Sequence, residues 1–396
     1  MFEYIQKFQK LAFGLFVHFG LYSMMGKGEW YLRLNPSADS KRYERMKDEF
    51  CVHKDWACRL VHTAKKTGIK YITLTTRHHD GFSLYDTCGL NDYDAPHSAC
   101  GRDLIAEFVQ ACRAEGIVPF FYHTLLDWRE RSYQDNFTVY TDYLINSIEI
   151  LCRNYGKIGG FWFDGMWDKP NADWQEDRLY ATIRKYQPEA MIINNTGLNA
   201  LGQVGHPEID SVTFERGKPA FVDCSDKPRA GEMCQVLNDH WGYVKDDCNY
   251  KSVRELIGDL IDCRKYSCNF LLNTGLKGNG LVNPTDRCLL REVGKWIKVN
   301  KNFIYTVTPA FEQAENADMF TDGKYLYAVV RDVGMRADEN VAQRGAEKTV
   351  NIGAKIKKAI WLDNGEAIEH MDNAFVAKSF SYGTSLCSRV AKIEID

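Results

Sequence analysis

Asp164 ends a short apolar run, Phe161-Trp162-Phe163-Asp164-Gly165, so one carboxylate is boxed by three aromatic rings, with Trp167 just beyond. Taking a carboxylate out of water is costly, and a chain rarely places one among rings without a task for it. Aromatic faces beside a carboxylate suit a site that grips a sugar ring and stabilises positive charge developing on it. A strand-end Asp that merely caps the next helix is the common alternative, and the other polar residues have to discriminate.

Hydrolysis of a glycosidic bond commonly needs two carboxyl groups flanking that bond. In the retaining mechanism one attacks the anomeric carbon, while the other protonates the leaving oxygen and then activates water. Asp164 is the candidate nucleophile. Glu215 follows another apolar run, Val212-Thr213-Phe214, and has Arg216 beside it; it is the preferred acid/base. Glu232, in Gly231-Glu232-Met233-Cys234, is the runner-up, and Asp80 and Glu29 are outside choices.

His18, Glu29-Trp30, His78-His79 and Tyr122 supply neutral donors, acceptors and rings for sugar hydroxyls and faces, and Trp162 joins them from beside Asp164. Each has a plainer use: a lone His18 is usually a satisfied core histidine, and Glu29 can be merely solvated. The histidines are also possible metal ligands. Adjacent residues in a strand point to opposite faces, which weighs against His78 and His79 sharing an ion. A barrel metallohydrolase would carry HxH on its first strand, where only His18 stands. Metal binding is therefore not the favoured use of these histidines.

These residues need strand ends to hold them. Apolar runs at 12–18, 70–76, 117–123, 159–164, 190–194, 210–214 and 268–273 alternate with helical patterns at 54–67, 102–115, 137–155, 172–186, 250–265 and 285–300. Gly68, Gly116 and Gly156 stand where helices end. Repeated strand–helix units mean a parallel sheet. Without a Gly-rich phosphate loop after the first strand, they favour an α/β fold of the (β/α)8-barrel type, in which the site lies at the C-terminal strand ends. The stretch 195–250 is loop-rich, so strands six and seven are poorly placed. Past about 304, short runs at 325–332, 348–352, 357–362, 375–380 and 389–395, split by Asp322-Gly323 and Asn364-Gly365, predict a small antiparallel β-sandwich. The expected domains are a barrel over 1–303 and a sandwich over 304–396.

Composition narrows the function classes. The chain has 396 residues, 45% hydrophobic and 13% aromatic, with a formal net charge of −3. That charge argues against nucleic-acid or membrane-surface partners. No run reaches the roughly 18 apolar residues of a membrane span. Thirteen cysteines without a CxxC pair support neither a zinc ribbon nor a thioredoxin motif. Cys58, Cys112 and Cys152 fall in helical patterns, where buried free thiols are expected. With no signal peptide evident at the N-terminus, a cytoplasmic location is expected.

The segments FGLFVHFGLYS (13–23), GEWY (28–31), KYITLTTRHHDGFSLYDT (70–87), GRDLIAEFVQACRAEGI (101–117), FYHTLLDW (121–128), FWFDG (161–165), WGY (241–243) and NFLLNTGLKGNGLVNP (269–284), in this order, resemble the α-L-fucosidases of glycoside hydrolase family 29. The resemblance implies a retaining exo-glycosidase that removes terminal α-L-fucose from glycans through a covalent fucosyl-enzyme, without metal or cofactor. It implies Asp164 as nucleophile, and His18, Glu29, Trp30, His78, His79 and Tyr122 as residues holding the fucose ring and hydroxyls. DSVTFE (210–215) looks like an acid/base segment of that family, which favours Glu215. GEMC resembles the family's WE-containing stretch, with Gly231 where Trp is usual. The competing expectations are a non-catalytic fucose-binding relative, a metal-dependent barrel hydrolase using His18, His78 and His79, and a related galactosidase.

Overall fold

The computed structural model describes residues 2–335 and 347–396. Eight parallel strands close into a barrel: β1 (Phe13–His18), β2 (Tyr71–Arg77), β3 (Val118–Thr124), β4 (Gly160–Asp164), β5 (Met191–Asn194), β6 (Ser211–Thr213), β7 (Ala230–Val236) and β8 (Asn269–Gly275). Each pairs with the next, and β1 pairs with β8. Their nearly unbroken apolar runs are what strands covered on both faces require. Helices Trp56–Thr67, Leu104–Glu115, Phe137–Asn154 and Glu176–Tyr186 separate the first five strands. Two of them start on side-chain caps: Asp103 accepts from Ala106 N and Asn136 from Val139 N. Such caps satisfy amide groups that the first helical turn leaves unpaired.

The barrel interior explains why functional residues recur at every second position. Strand side chains alternate, so Phe16 and His18, Trp162 and Asp164, and Ile193 and Asn195 follow one another up the same inner face. The lower layer packs Tyr71, Phe120, Met191 and Ala230 into one buried cluster with Ile5 and Phe8 of the N-terminal helix Glu3–Leu11. That helix, absent from the sequence-based elements, covers the N-terminal strand ends. Its Phe8 ring lies 5.5 Å from both Tyr71 and Phe120. Gly14 makes room for this layer, because a Cβ there would collide with the Tyr71 ring.

β7 is the strand that the sequence-based elements omit. It contains a glycine and a buried glutamate and few β-branched residues, so neither alternation nor β-propensity marks it. Between β5 and β7 no long helix intervenes among the described residues, which gives that side of the barrel its irregular connections.

Two compact units emerge from the contacts. One runs to Tyr250 and takes in Asn269–Leu290; the other comprises Lys251–Cys268 and Arg291–Asp396. The second unit carries a five-stranded antiparallel sheet in the order Ile356–Trp361, Ser388–Ile395, Leu326–Arg331, Asp318–Thr321, Thr308–Pro309, and a two-stranded sheet of Lys348–Asn351 and Ala374–Ala377. Val330, Ala391 and Ile393 from the first share a core with Val350 and Phe375 from the second, as in a sandwich. Its strands at 308–309 and 318–321 are too short to signal themselves in sequence.

None of the thirteen cysteines forms a disulfide. Cys112 and Cys152 are buried as expected, but Cys58 is exposed, on the outer face of its helix. No helix among the described residues is long and apolar enough to cross a membrane.

Candidate active site

A cavity of about 640 Å³ opens at the C-terminal ends of the strands, lined by His18, Glu29, Trp30, His78, His79, Tyr122, Trp162, Asp164 and Glu215 together with Phe16, Trp167, Asn195, Arg216 and Trp241. All of the sequence-derived candidates except Glu232 and Asp80 therefore converge on one space.

Asp164 is the last residue of β4. Gly165 follows at φ +104, a left-handed conformation that glycine adopts without strain, and a Cβ there would press on Leu126. The turn brings the chain back over the carboxylate, so Trp167 Nε1 donates to Asp164 Oδ1 at 3.0 Å. Asn195 Nδ2 donates to the same oxygen at 3.1 Å, and Tyr122 Oη donates to Oδ2 at 3.0 Å. His79 Nε2 lies 3.4 Å from Oδ2. Burial alone would push this carboxyl up; the contacts from His79, Trp167 and Asn195 outweigh it and hold Asp164 below the usual carboxylate range.

Glu215 stands two residues beyond the end of β6. Asn195 Nδ2 donates to its Oε2 at 2.7 Å, the same nitrogen that serves Asp164. The two carboxylate oxygens are thus no farther apart than these two bonds laid end to end. This suits the ~5–5.5 Å spacing of a retaining pair and falls short of the ~6.5–9.5 Å of an inverting one. Burial, then the nearby Asp164 charge, push Glu215 up to about 7, against the opposing effects of Asn195 and Arg216.

Glu232 does not reach the cavity. β7 pairs Glu232 with Thr213, two residues before Glu215, so its side chain lies one layer deeper. There it is 1% exposed, accepts from Trp162 Nε1 at 2.9 Å and bonds to Tyr71 Oη. Burial pushes it up to about 7. Asp80 is also away from the cavity, buried against Tyr43 Oη at 2.6 Å. Glu29 does line it, but Gly242 N donates to its Oε2 at 2.7 Å, which gives the carboxylate a fixed orientation.

The histidines form a connected wall. His18 Nδ1 meets Asn273 Oδ1 at 2.7 Å, and Asn273 Nδ2 donates to Trp241 O, which fixes the amide orientation. His18 Nδ1 must therefore carry the proton, leaving Nε2 as the acceptor. Burial pushes His18 down to about 3, so it is neutral. His78 is likewise held well below its ordinary value by burial, and its Nδ1 has no hydrogen-bond partner. His79 Nδ1 meets Thr124 Oγ1 at 2.7 Å. The expectation that adjacent His78 and His79 face opposite ways is corrected: β2 ends at Arg77, the chain turns, and both rings line the cavity with centroids 4.2 Å apart. Among the described residues no three His, Cys, Asp or Glu side chains form a metal-binding group.

The floor is aromatic. Tyr122 stacks on Trp162 at 5.8 Å and on His78 at 5.5 Å, and Phe16 packs edge-on against Trp162 and Trp241. Trp30 stacks on Trp167 at 6.0 Å near the mouth. Sequence reasoning did not select Asn195 or Trp241. Asn195 lies just past the apolar run at 190–194, and Trp241 stands only within WGY.

The sequence model of the family described as Alpha-L-fucosidase matches residues 3–302. Tissue alpha-L-fucosidase of Bos taurus is 26% identical over 365 residues, covering 82% of this chain and 74% of that protein. The structure of alpha-L-fucosidase isoenzyme 1 from Paenibacillus thiaminolyticus is similar at a TM-score of 0.84 and 28% identity, covering 100% of this chain and 99% of that one. The fold is also that of an alpha-L-fucosidase from Bacteroides thetaiotaomicron, at a TM-score of 0.82 and 21% identity, covering 100% and 95% of the two chains. With three-quarters of its length matched and its strand-end residues gathered in one cavity, the chain belongs to the alpha-L-fucosidase family.

Proposed function

We propose that this protein is a retaining exo-α-L-fucosidase that removes terminal fucose from fucosylated glycans, with Asp164 as nucleophile and Glu215 as acid/base. The observation that carries this reading is the shared Asn195 amide, which joins an ionised carboxylate to one pushed up to about 7 across a sugar-sized cavity. One group ready to attack and one ready to donate a proton is what the first step needs.

In that step an Asp164 oxygen forms a bond to the anomeric carbon as the bond to the leaving oxygen breaks. The Glu215 proton passes to the leaving oxygen. In the second step water attacks the same carbon, gives its proton to Glu215 and displaces Asp164. Two inversions return the original configuration and restore both carboxyl groups. The neutral histidines His18 and His78 offer acceptors to ring hydroxyls without adding positive charge beside a carbon that is itself becoming cationic. Phe16, Trp162 and Trp241 give the cavity an apolar wall, which suits a 6-deoxy sugar bearing a methyl group where galactose has a hydroxymethyl.

The test is release of p-nitrophenol from p-nitrophenyl α-L-fucoside. Wild type should turn over, with and without chelator, and should prefer this substrate to p-nitrophenyl galactosides. Asp164→Ala should lose at least about a thousandfold in kcat, since the covalent route is gone. No release by wild type, or unchanged release by Asp164→Ala, would refute the reading. Loss of activity with chelator would favour a metal-dependent hydrolase, and fucose-dependent thermal stabilisation without turnover would favour a binding protein.

A further inference from the structure

Asn195 occupies a position that the two-carboxylate scheme leaves without a task. Its Oδ1 accepts from Gly197 N at 3.2 Å and from Thr213 Oγ1 at 3.2 Å. A backbone N–H can only donate, so the amide cannot be the other way round. Nδ2 consequently has both of its hydrogens available, and they go to Asp164 Oδ1 and Glu215 Oε2. Asn195 is 2% exposed, so these bonds face little competition from water.

We propose that Asn195 is a positioning residue that holds Asp164 and Glu215 as one unit and stabilises whichever of the two carries the negative charge. This rests on the reading of these two residues as nucleophile and acid/base. In the first step Asp164 gives up its charge on bonding to the sugar, while Glu215 gains one on losing its proton. The second step reverses the transfer. The pair thus holds one negative charge throughout, which moves from one end of the amide to the other. An NH₂ group bonded to both ends meets the charge at either place without reorienting, and donors already in place cost no reorganisation when the charge moves. The same bridge keeps the two carboxyl groups at the spacing that the double displacement needs.

Other titratable groups surround the pair, and two of them, Tyr122 and Cys234, lie close to both carboxyl groups without donating a hydrogen bond to each. Asp164 faces His79 from the end of β2, His18 from β1 and Tyr122 from β3. Glu215 faces Arg216 beside it, Glu29 from the loop after β1 and Cys234 from β7. Asn195 alone donates a hydrogen bond to both carboxylates among the described residues, and this sets its signature apart.

The experiment is the pH dependence of kcat/KM and kcat for wild type, Asn195→Ala and Thr213→Val on p-nitrophenyl α-L-fucoside. Removing the amide withdraws a bond to the charged form of each carboxylate, so both limbs of the profile should move to higher pH, by about one unit each. The loss, about ten- to hundredfold, should fall on kcat with KM within about threefold. Thr213→Val keeps the amide but frees its orientation, and should shift both limbs in the same direction by less. It also serves as the test if Asn195→Ala does not fold. Limbs that stay in place, a shift of one limb only, or a loss carried by KM would overturn the proposal. A wild-type profile whose alkaline limb persists in Glu215→Gln would instead overturn the reading of the pair, and the two failures are distinguishable.

Discussion

Asp164 and Glu215 are both carboxyl groups in one cavity, and their surroundings push them in opposite directions. Asp164 sits below the usual range because hydrogen bonds from His79, Trp167 and Asn195 outweigh its burial. Glu215 rises to about 7 through burial and the Asp164 charge. The active form has Asp164 ionised and Glu215 protonated. Activity should therefore be lost on the acid side as Asp164 protonates, below the ordinary carboxylate range, and on the alkaline side through about pH 7 as Glu215 gives up its proton. The kcat/KM profile of the free enzyme reads both. Glu215→Gln should remove the alkaline limb and slow substrates with poor leaving groups far more than activated aryl fucosides, which need little protonation. An alkaline limb that survives this substitution belongs to some other group. Asp164 was legible as a candidate because it stood among aromatic residues. The sequence favoured Glu215 over Glu232 without showing that they lie in different layers, which only the strand register does.

At the level of elements, that register does the separating. β7 pairs Glu232 with Thr213, which lowers Glu232 by one layer into the barrel, under the indole of Trp162. A buried carboxyl pushed up to about 7 from an ordinary 4.5 binds its proton more tightly in the folded than in the unfolded chain. Its stabilising effect is complete below pH 4.5 and is lost as pH rises through about 7, a difference on the order of 3 kcal/mol. Glu232→Gln has no proton to lose. Unfolding followed in denaturant at pH 5 and pH 8 should show wild type losing more stability than Glu232→Gln over this interval. Other raised carboxyl groups, such as Asp80, are common to both proteins and cancel in the comparison. Equal losses would mean that Glu232 ionises at no cost in its layer. Helices and most barrel strands were readable from periodicity and caps, but β7 was hidden by its Gly and Glu, whereas the nine-residue N-terminal helix is amphipathic and was legible although not selected.

Across the whole molecule, residues from seven of the eight strands or their following loops reach one cavity, and only closure of the barrel brings them together. Strand order and the family motifs made that convergence legible in the sequence. The distances were not, and the shared amide of Asn195 depends on two strand ends and the loop after β5 at once. The assignment of the two carboxylates is tested most directly by the anomeric configuration of the product that Glu215→Ala forms with azide and an activated aryl α-L-fucoside. Without its acid/base this variant should still form the fucosyl-Asp164 intermediate, and azide, which needs no general base, should displace Asp164 with a second inversion. The account predicts restored turnover and α-L-fucosyl azide. A β-L-fucosyl azide, or no rescue in Glu215→Ala while Glu232→Ala gives the α product, would contradict it.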